Sequence, residues 1–580
     1  MTVPDRIHDH IVLLLRRFAS AFVREEWIEP VANVVRWISV PSGSVLFKKG
    51  QPSDSIYVVV SGLLGVVDEK ASGISHTVAR LGPGEIIGEM GCITGQPRFS
   101  TVRALRSSEV LEVSWSDVER VATTDPGVLL SICKTLVQRL VQAQEGRSRD
   151  SQPRTFALVS TREDFDLRSF SERFKAALDG VGIAFLALRE NCQNMTADEF
   201  FQIERAHEYV IYAADSNNPS WLRLCLGQSD VVLIVAEGKM SPQPMPYLLG
   251  TVLPGIPIML ILTWDSRVQS TNTADWLSLA NASRHFHVRG SSDLQRVARL
   301  LTSRGFGLVL SGGGARGVAH VGVMRALREY GVDIDVIMGT SIGAFVGAAI
   351  ALEWDYESML QAARQFSAIS PLTEITFPRT SLLAGRNVRS FLQRWFADLK
   401  IEDTPIPYSC VSTNLNFGEV VIHRLGSLQT WVKASAAVPG VFPPVLQKDI
   451  VHVDGGVLNN MPTDLIRSTG AGFVVGVDVS GLSGRSNQLN ILELLTRVGS
   501  IGDEAQAGLR RKQCDVLISP NLTNISLLNF SAYEQAIEAG YTATVEKLDQ
   551  ISYPKVTDCV GESVNLHPLA SRHANRGCGG

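Results

Sequence analysis

Several features that mark common protein classes are missing from this sequence of 580 residues. Its eight cysteines are scattered without a CxxC pair, so neither a zinc site nor a disulfide framework is expected, and a reducing cytoplasm is the natural setting. The formal net charge is -4 and no long basic run occurs, which argues against binding to nucleic acid. We therefore expect no metal, no required cofactor and no nucleic-acid partner.

Segments that enter or cross a membrane are also missing. The short apolar stretch from Ile11 to Leu15 is followed by two arginines and lacks a small-residue cleavage site, so it does not resemble a signal peptide. The longest apolar run, Val336 to Leu352, contains Gly339, Ser341 and Gly343 and is continued by Glu353, which indicates a buried strand and helix rather than a transmembrane helix. We predict a cytoplasmic protein whose contact with any membrane is peripheral.

The first 145 residues have the pattern of an all-β domain. Short β-rich runs, among them Ile56 to Val60 and Leu63 to Val67, are separated by Gly, Pro and Asp turns. An amphipathic pattern from Val118 to Ala143 predicts a helix after them. We therefore predict a β-roll domain over residues 1–145.

Two α/β regions follow. Strand-like runs alternate with helical patterns over residues 155–300, and the same alternation returns over residues 305–550. The central region has no GxxxxGK sequence, so nucleotide hydrolysis is not supported there and its role stays unassigned. Residues 551–580 lose periodicity and predict a disordered tail. The predicted fold class is multidomain, with an N-terminal β-roll, a central α/β domain and a C-terminal α/β domain.

The strongest chemical signal is the sequence GTSIG, Gly339 to Gly343, between a predicted strand and a predicted helix. This is the GxSxG pattern of a nucleophile elbow, in which a sharp turn exposes a serine hydroxyl and the glycines allow close packing. The start of the helix also favours the negative charge that develops on attack. Ser341 is therefore the candidate nucleophile of an acyl-transfer reaction.

A second strand-loop-helix unit precedes the elbow and contains three successive glycines, Gly312, Gly313 and Gly314. Amides without side chains can point together into one cavity, so this loop is a candidate oxyanion hole. Arg316, two residues further on, is a candidate anchor for the loop or for an anionic head group.

The same loop permits an alternative interpretation, dinucleotide binding. Gly312, Gly314 and Gly317 satisfy GxGxxG, and Asp333 or Asp335 lies near the distance of a ribose-binding acid. A dinucleotide site does not require GTSIG at the end of the next strand, so we favour acyl transfer.

Asp454 is the candidate partner of the serine. It ends an alternating apolar run and is followed by two glycines, which leave room beside the carboxylate. Together with Ser341 and the glycine loop, it predicts a Ser-Asp dyad in which burial raises the basicity of the carboxylate.

A Ser-His-Asp triad is the alternative within the hydrolase class. His423, His452 and His567 all follow Ser341, as the histidine does in α/β-hydrolases. None of the three is placed persuasively, and His320, one helical turn after the glycine loop, is expected to pack or cap there.

The motifs GGGARG, GTSIG, ASAAVPGVFPPV (residues 434–445) and DGG occur in the order found in the patatin-like phospholipase family. Over about Gly305 to Leu548 the chain resembles that family, and its domain order is similar to the neuropathy-target-esterase branch. The resemblance implies a dyad of Ser341 and Asp454, an oxyanion hole at Gly312 to Gly314, and phospholipid or lysophospholipid substrates met at a membrane surface.

Within the first domain, Gly88 to Thr101 resembles the ligand-binding segment of cyclic-nucleotide-binding domains. The resemblance implies that Arg98 binds the cyclic phosphate and Glu89 the ribose hydroxyl, with Gly88 and Ser100 in the same cradle. Phe99 and Ser100 stand where that family usually has small residues such as alanine. Cyclic AMP or cyclic GMP is thus the expected regulatory ligand.

The sequence as a whole predicts a serine esterase that hydrolyses fatty-acyl esters of lipids through an acyl-enzyme and carries a cyclic-nucleotide sensor in front. The alternative is a catalytically silent regulatory protein that senses cyclic nucleotide. Loss of ester hydrolysis on replacing Ser341 separates the two.

Overall fold

The computed structural model describes most of the chain, and all structural statements below concern these residues. They are residues 35–69, 75–124, 133, 153–195, 197–215, 217–252, 256–265, 272–369, 374–377, 379–480 and 491–551. The predicted helix beyond Thr124, apart from Cys133, and the predicted tail after Ile551 lie outside them. The limits of the three domains therefore stay predictions.

The front domain is an antiparallel β-roll with two short helices. Its sheet has the order β1-β6-β3-β4, with β2 on β6 and β5 on β3. Its elements are β1 (Arg36–Val40), β2 (Val45–Phe47), β3 (Ser55–Glu69), β4 (Ser75–Leu81), β5 (Ile86–Ile87), α1 (Glu89–Thr94), β6 (Thr101–Ser114) and α2 (Trp115–Thr124). The two runs predicted at Ile56 to Val60 and Leu63 to Val67 are one strand, because β3 continues through Gly62 with a shift in its register against β6.

The central region forms a six-stranded parallel sheet, order β12-β11-β10-β7-β9-β8. Its middle strands β7 and β10 are buried along almost their whole length, as expected where helices cover both faces. The elements are β7 (Thr155–Ser160), α3 (Leu167–Asp179), β8 (Ala184–Ala187), α4 (Arg189–Cys192), α5 (Ala197–Ala206), β9 (Tyr209–Ala214), α6 (Pro219–Gly227), β10 (Val231–Glu237), α7 (Pro246–Thr251), β11 (Ile258–Thr263), α8 (Thr273–Ala280), β12 (Arg284–Val288) and α9 (Ser291–Leu301).

The C-terminal region forms an eight-stranded mixed sheet, order β17-β18-β15-β14-β13-β19-β20, with β16 on β15. Strands β13, β14, β15, β19 and β20 are parallel, whereas β16, β17 and β18 form antiparallel pairs. The elements are β13 (Gly305–Leu310), α10 (Ala319–Glu329), β14 (Val336–Gly339), α11 (Ile342–Ala351), α12 (Tyr356–Ile369), α13 (Arg386–Phe396), β15 (Tyr408–Asn414), β16 (Glu419–His423), α14 (Leu428–Ser435), β17 (Val445–Gln447), β18 (Ile450–Asp454), α15 (Thr463–Ile466), β19 (Ala471–Val477), α16 (Ile491–Lys512), β20 (Val516–Ile518) and α17 (Tyr533–Gln550).

Buried contacts join the three regions. Leu294 and Val297 of α9 share one apolar cluster with Val309 and Met338 of the C-terminal sheet. Between the front and central regions, the buried Arg106 forms ion pairs with Glu204 and Asp230. The C-terminal sheet is thus held from its amino end by the central region, and its carboxyl end is left for a site.

Among the described residues, no helix is long and apolar enough to cross a membrane. The apolar run from Val336 to Leu352 is β14 followed by α11, as predicted from its glycines.

Candidate active site

Ser341 occupies a strained turn between β14 and α11. Its φ is 55° and its ψ is -122°, a conformation that residues with a side chain rarely adopt. A Cβ atom on Gly343 would lie 2.3 Å from the Leu310 carbonyl oxygen, so only glycine lets the turn approach β13 this closely. These are the features of a nucleophile elbow.

The hydroxyl of Ser341 donates a hydrogen bond of 2.9 Å to Oδ2 of Asp454. The other carboxylate oxygen accepts the backbone N–H of Gly456 at 2.7 Å. Strand β18 runs antiparallel to β15 and pairs Asp454 with Ser412, which brings the end of β18 next to the end of β14. Two residues 113 positions apart in the chain are therefore in direct contact.

Burial raises the pKa of the Asp454 carboxyl to about 6, although the hydrogen bonds from Gly456 and Ser341 act in the lowering direction. The side chain is only 6% exposed, and no ion pair reaches it from the described residues. A carboxylate with a pKa near neutrality can take a proton from a hydroxyl and return it during one catalytic cycle.

The glycine loop differs from the prediction at Gly312. Its N–H donates to the carbonyl oxygen of Asn460 at 3.2 Å and so is not free to bind an oxyanion. Within the described chain, the N–H groups of Gly313, Gly314 and Ile342 have no hydrogen-bond acceptor, and all three residues line the cavity that contains Ser341. Ile342, the residue after the nucleophile, is a candidate oxyanion donor that the sequence reasoning missed, although the nucleophile-elbow pattern itself points to it.

Ser435 was also missed. It lies at the end of α14, is fully buried, and its hydroxyl accepts the backbone N–H of Ser341 at 2.9 Å. This bond satisfies the backbone N–H of the strained turn and holds Ser341 in place. The sequence signal was present, since Ser435 belongs to the segment 434–445 quoted for the family resemblance, but no role was assigned to it.

Arg316 anchors the glycine loop. Its Nε donates to the carbonyl oxygen of Ile525 at 2.6 Å and its Nη1 to that of Ser480 at 2.8 Å. The side chain is 8% exposed, so these contacts favour the anchoring role over contact with a head group. His320 supports the same loop through a 2.9 Å hydrogen bond between its Nε2 and the Ser311 carbonyl oxygen.

The histidines proposed for a triad do not contact the dyad. His423 and His452 are both buried and hydrogen-bonded to the hydroxyl of Ser412, at 2.7 Å and 2.9 Å. Burial lowers the pKa of His423 to about 3 and also lowers that of His452, so both rings are neutral near pH 7. His567 lies outside the described residues. The described part of the chain thus offers no histidine for a triad.

The dinucleotide alternative fails on position. Asp333 and Asp335 precede β14, at the amino end of the sheet, whereas the glycine loop follows β13 at the carboxyl end. Asp335 is fully buried and accepts two hydrogen bonds from Arg299. Neither acid can reach a nucleotide seated on the loop.

The dyad opens into a cavity of about 630 Å³ that has two chemically different halves. One half lies along α11, α12 and α13 and is lined by apolar side chains, including Phe345, Val346, Ala349, Trp354, Phe366 and Phe391. The other half, towards α16, is lined by Asn460, Ser480, Arg497, Asp503, Glu504 and Arg511. The lining of the cavity around Ser341 and Asp454 thus combines apolar and polar side chains, so the cavity suits a molecule with an apolar and a polar part.

In the front domain, Arg98 is 4% exposed and donates to the carbonyl oxygens of Gly88 and Ser55 at 3.0 Å and 2.8 Å. A Cβ atom on Gly88, whose φ is +88°, would lie 2.1 Å from the guanidinium, so only glycine fits there. Arg98 Nε has no hydrogen-bond partner among the described residues. Glu89 is also buried, whereas Phe99 is 47% exposed. The roles expected for these residues in ligand binding stay predictions.

Family models match three consecutive parts of the chain. The model described as patatin-like phospholipase matches residues 308–466, and the model described as a cyclic nucleotide-binding domain matches residues 37–125. Residues 152–304 match the neuropathy target esterase family P-loop like domain. These matches confirm both the predicted fold class and the family resemblance.

Curated relatives align with the chain over different shares of their own length. The chain is 27% identical to patatin-like phospholipase domain-containing protein 7 of Rattus norvegicus over 93% of its own length and 47% of the relative. It is 30% identical to protein 6 of the same series in Mus musculus, over 79% of the chain and 39% of the relative. The chain therefore spans less than half the length of these mammalian relatives.

An uncharacterized NTE family protein of Mycobacterium tuberculosis matches over almost its whole length. The two are 30% identical, and the alignment covers 90% of this chain and 94% of the relative. Together with the three domain matches, this alignment shows that the chain belongs to the neuropathy target esterase (NTE) family.

Proposed function

We propose that the protein is a serine esterase that uses Ser341 as nucleophile and Asp454 as base. Ser341 Oγ attacks the ester carbonyl carbon while its proton passes to Asp454, and the N–H groups of Gly313, Gly314 and Ile342 stabilise the oxyanion. The bond to the alcohol oxygen then breaks, and Asp454 returns the proton to the leaving alkoxide.

Water completes the cycle. It attacks the acyl-enzyme and gives a proton to Asp454, which passes it to Ser341 Oγ as the fatty acid leaves. The observation that carries this proposal is the 2.9 Å hydrogen bond from Ser341 Oγ to a buried carboxylate, made in a cavity with free backbone N–H groups.

The proposed substrates are fatty-acyl esters of phospholipids or lysophospholipids. The apolar half of the cavity suits an acyl chain, and the mammalian relatives are named patatin-like phospholipase domain-containing proteins. The half with Arg497, Asp503 and Glu504 suits the polar part of such a lipid. We propose that the enzyme acts in the cytoplasm and meets the lipid at a membrane surface.

The test is hydrolysis of a short-chain acyl ester and of a lysophospholipid by wild type and Ser341→Ala. We expect at least about a 10³-fold loss of kcat in the variant, since the nucleophile is gone. A fluorophosphonate probe should label wild type and not the variant, and equal thermal unfolding midpoints show that the variant is folded. Inactive, unlabelled wild type would favour the silent regulatory protein, and activity retained by Ser341→Ala would exclude this nucleophile.

We further propose that the front domain binds a cyclic nucleotide and thereby regulates the esterase. The support is the family match over residues 37–125 and the unpartnered Nε of Arg98 beside Gly88. Calorimetry with cyclic AMP and cyclic GMP should give binding heat with wild type and none with Arg98→Ala. Absence of heat from both nucleotides with wild type would refute ligand control.

A further inference from the structure

Helix α11 presents one face to the cavity over its whole length. Ile342, Phe345, Val346 and Ala349 line the cavity, and their spacing of three or four residues places them on one side of the helix. Gly347, on another side, packs against Ile337 and Tyr408 of the sheet. The cavity therefore follows the helix away from Ser341, which is its N-cap.

This part of the cavity is apolar throughout. Every lining residue between positions 318 and 442 is apolar except Ser341 itself. The polar lining residues other than the two members of the dyad lie at position 460 and beyond. The wall of the cavity that α11 forms is therefore suited to the hydrocarbon part of a bound molecule.

We propose that the α11 face is the subsite for the fatty acyl chain and that Ala349 determines how long a chain the enzyme accepts. This inference rests on the esterase function proposed above. An α-helix rises about 1.5 Å per residue, so Ala349 lies about 12 Å along the axis from Ser341 and Val346 about 7.5 Å.

The distances along α11 can be expressed as numbers of carbons in an acyl chain. A hydrocarbon chain with bonds of about 1.5 Å and angles near 111° advances about 1.25 Å per carbon when it is extended. The chain thus passes Val346 at about its sixth carbon and Ala349 at about its tenth. Ala349 is 1% exposed and lines the cavity with a single methyl group, so a larger side chain there would narrow the cavity.

The test compares Ala349→Phe with Val346→Phe on p-nitrophenyl esters with acyl chains of about four to about sixteen carbons. We expect Ala349→Phe to keep kcat/KM for chains shorter than about ten carbons and to lose about 10-fold or more for longer ones. Val346→Phe should move this limit to about six carbons. Ala348→Val, next to Ala349 but not lining the cavity, is the matched control and should leave the limit unchanged.

The thermal unfolding midpoint shows whether each variant is folded. If the phenylalanine variants unfold, Ala349→Val replaces them, and we expect a smaller loss of kcat/KM for the long chains. A limit that is the same in both phenylalanine variants, or unchanged from wild type in folded Ala349→Val, would overturn the subsite. Failure of the esterase proposal is seen separately, since wild type would then hydrolyse no ester of any length. Binding of a fluorescent long-chain fatty acid to Ser341→Ala, lost on adding Ala349→Phe, tests the subsite without turnover.

Discussion

The two ends of the C-terminal sheet each contain a deeply buried aspartate, and the two carboxylates have different partners. At the amino end, Asp335 accepts hydrogen bonds of 2.8 Å and 2.6 Å from Arg299 and one from the Phe306 N–H. At the carboxyl end, Asp454 accepts only neutral donors, the Ser341 hydroxyl and the Gly456 N–H. Residue type and burial are alike, so the partner decides what each carboxylate does.

The partner of Asp335 comes from another region of the chain. Arg299 lies on α9, the last helix of the central region, so its charge neutralises Asp335 and joins that region to the sheet. Asp454 instead faces the cavity, where, on the proposed mechanism, it takes the proton of Ser341 and returns it to the leaving alkoxide. One end of the sheet therefore joins two regions of the chain, and the other is the end to which we assign the chemistry.

The largest expected effect is on catalysis. Asp454→Asn removes the base, and we expect kcat to fall by about 10²- to 10⁴-fold on a short-chain ester. In wild type, kcat/KM should decrease as the pH falls below about 6, because burial raises the pKa of Asp454 to about 6 and only the carboxylate accepts a proton. A pH profile that stays flat from pH 7 to about pH 4 would contradict this role.

Replacing the aspartate at the amino end of the C-terminal sheet by asparagine should lower stability rather than activity. Asp335→Asn leaves Arg299 as a largely buried charge without its partner, and we expect a loss of about 3–5 kcal/mol in the free energy of unfolding. Calorimetric unfolding measures the loss. The double variant Asp335→Asn with Arg299→Met should recover part of it, and no recovery would show that the charge is not the cause.

Asp454→Asn should have the opposite effect on stability at neutral pH. The pKa is about 6 in the folded state and about 3.9 in the unfolded state, so the folded chain binds the proton more tightly and wild-type stability falls as the pH rises between these values. Above that range the ionised carboxylate costs about 3 kcal/mol. We therefore expect the variant to unfold at a higher temperature than wild type at pH 8 and at a similar temperature at about pH 4.

The smallest effect concerns the support of the nucleophile. Ser435→Ala leaves the N–H of Ser341 without its acceptor, and we expect about a 10-fold lower kcat with a nearly unchanged KM for a short-chain ester. Ser229→Ala is the control, since Ser229 is an equally buried serine of the central region that bonds to the Cys225 carbonyl oxygen. A higher KM with an unchanged kcat would show that Ser435 does not position the nucleophile.

Much of the candidate site was readable from motifs because its parts are local. GTSIG and the triple glycine each contain the turn that their function requires, so Ser341 and Gly313 could be named without a structure. The acceptor of each backbone N–H, in contrast, depends on residues that are distant in the sequence. Gly312 donates to Asn460, more than a hundred residues further on, and this contact changes its role.

The front domain also contains contacts between distant residues that its sequence pattern did not predict. Its β-rich pattern predicts the fold, but it also predicts Ile56 to Val60 and Leu63 to Val67 as two separate strands, because Gly62 between them is typical of a turn. In the structure they are one strand, since pairing with β6 carries the chain through Gly62 with a shift in register. Similarly, the pattern names Arg98, while only packing shows it donating to Gly88 and Ser55.

By itself, the sequence determined the three domains, the elbow at Ser341 and the choice of an acid at position 454, because periodicity and turn chemistry depend on neighbouring residues. Only the tertiary structure decided that Asp454 contacts Ser341, that Asp335 is neutralised by Arg299, and that Ser435 and Ile342 belong to the site. These contacts depend on strand order and register, which bring distant residues together and set how strongly each charge is buried.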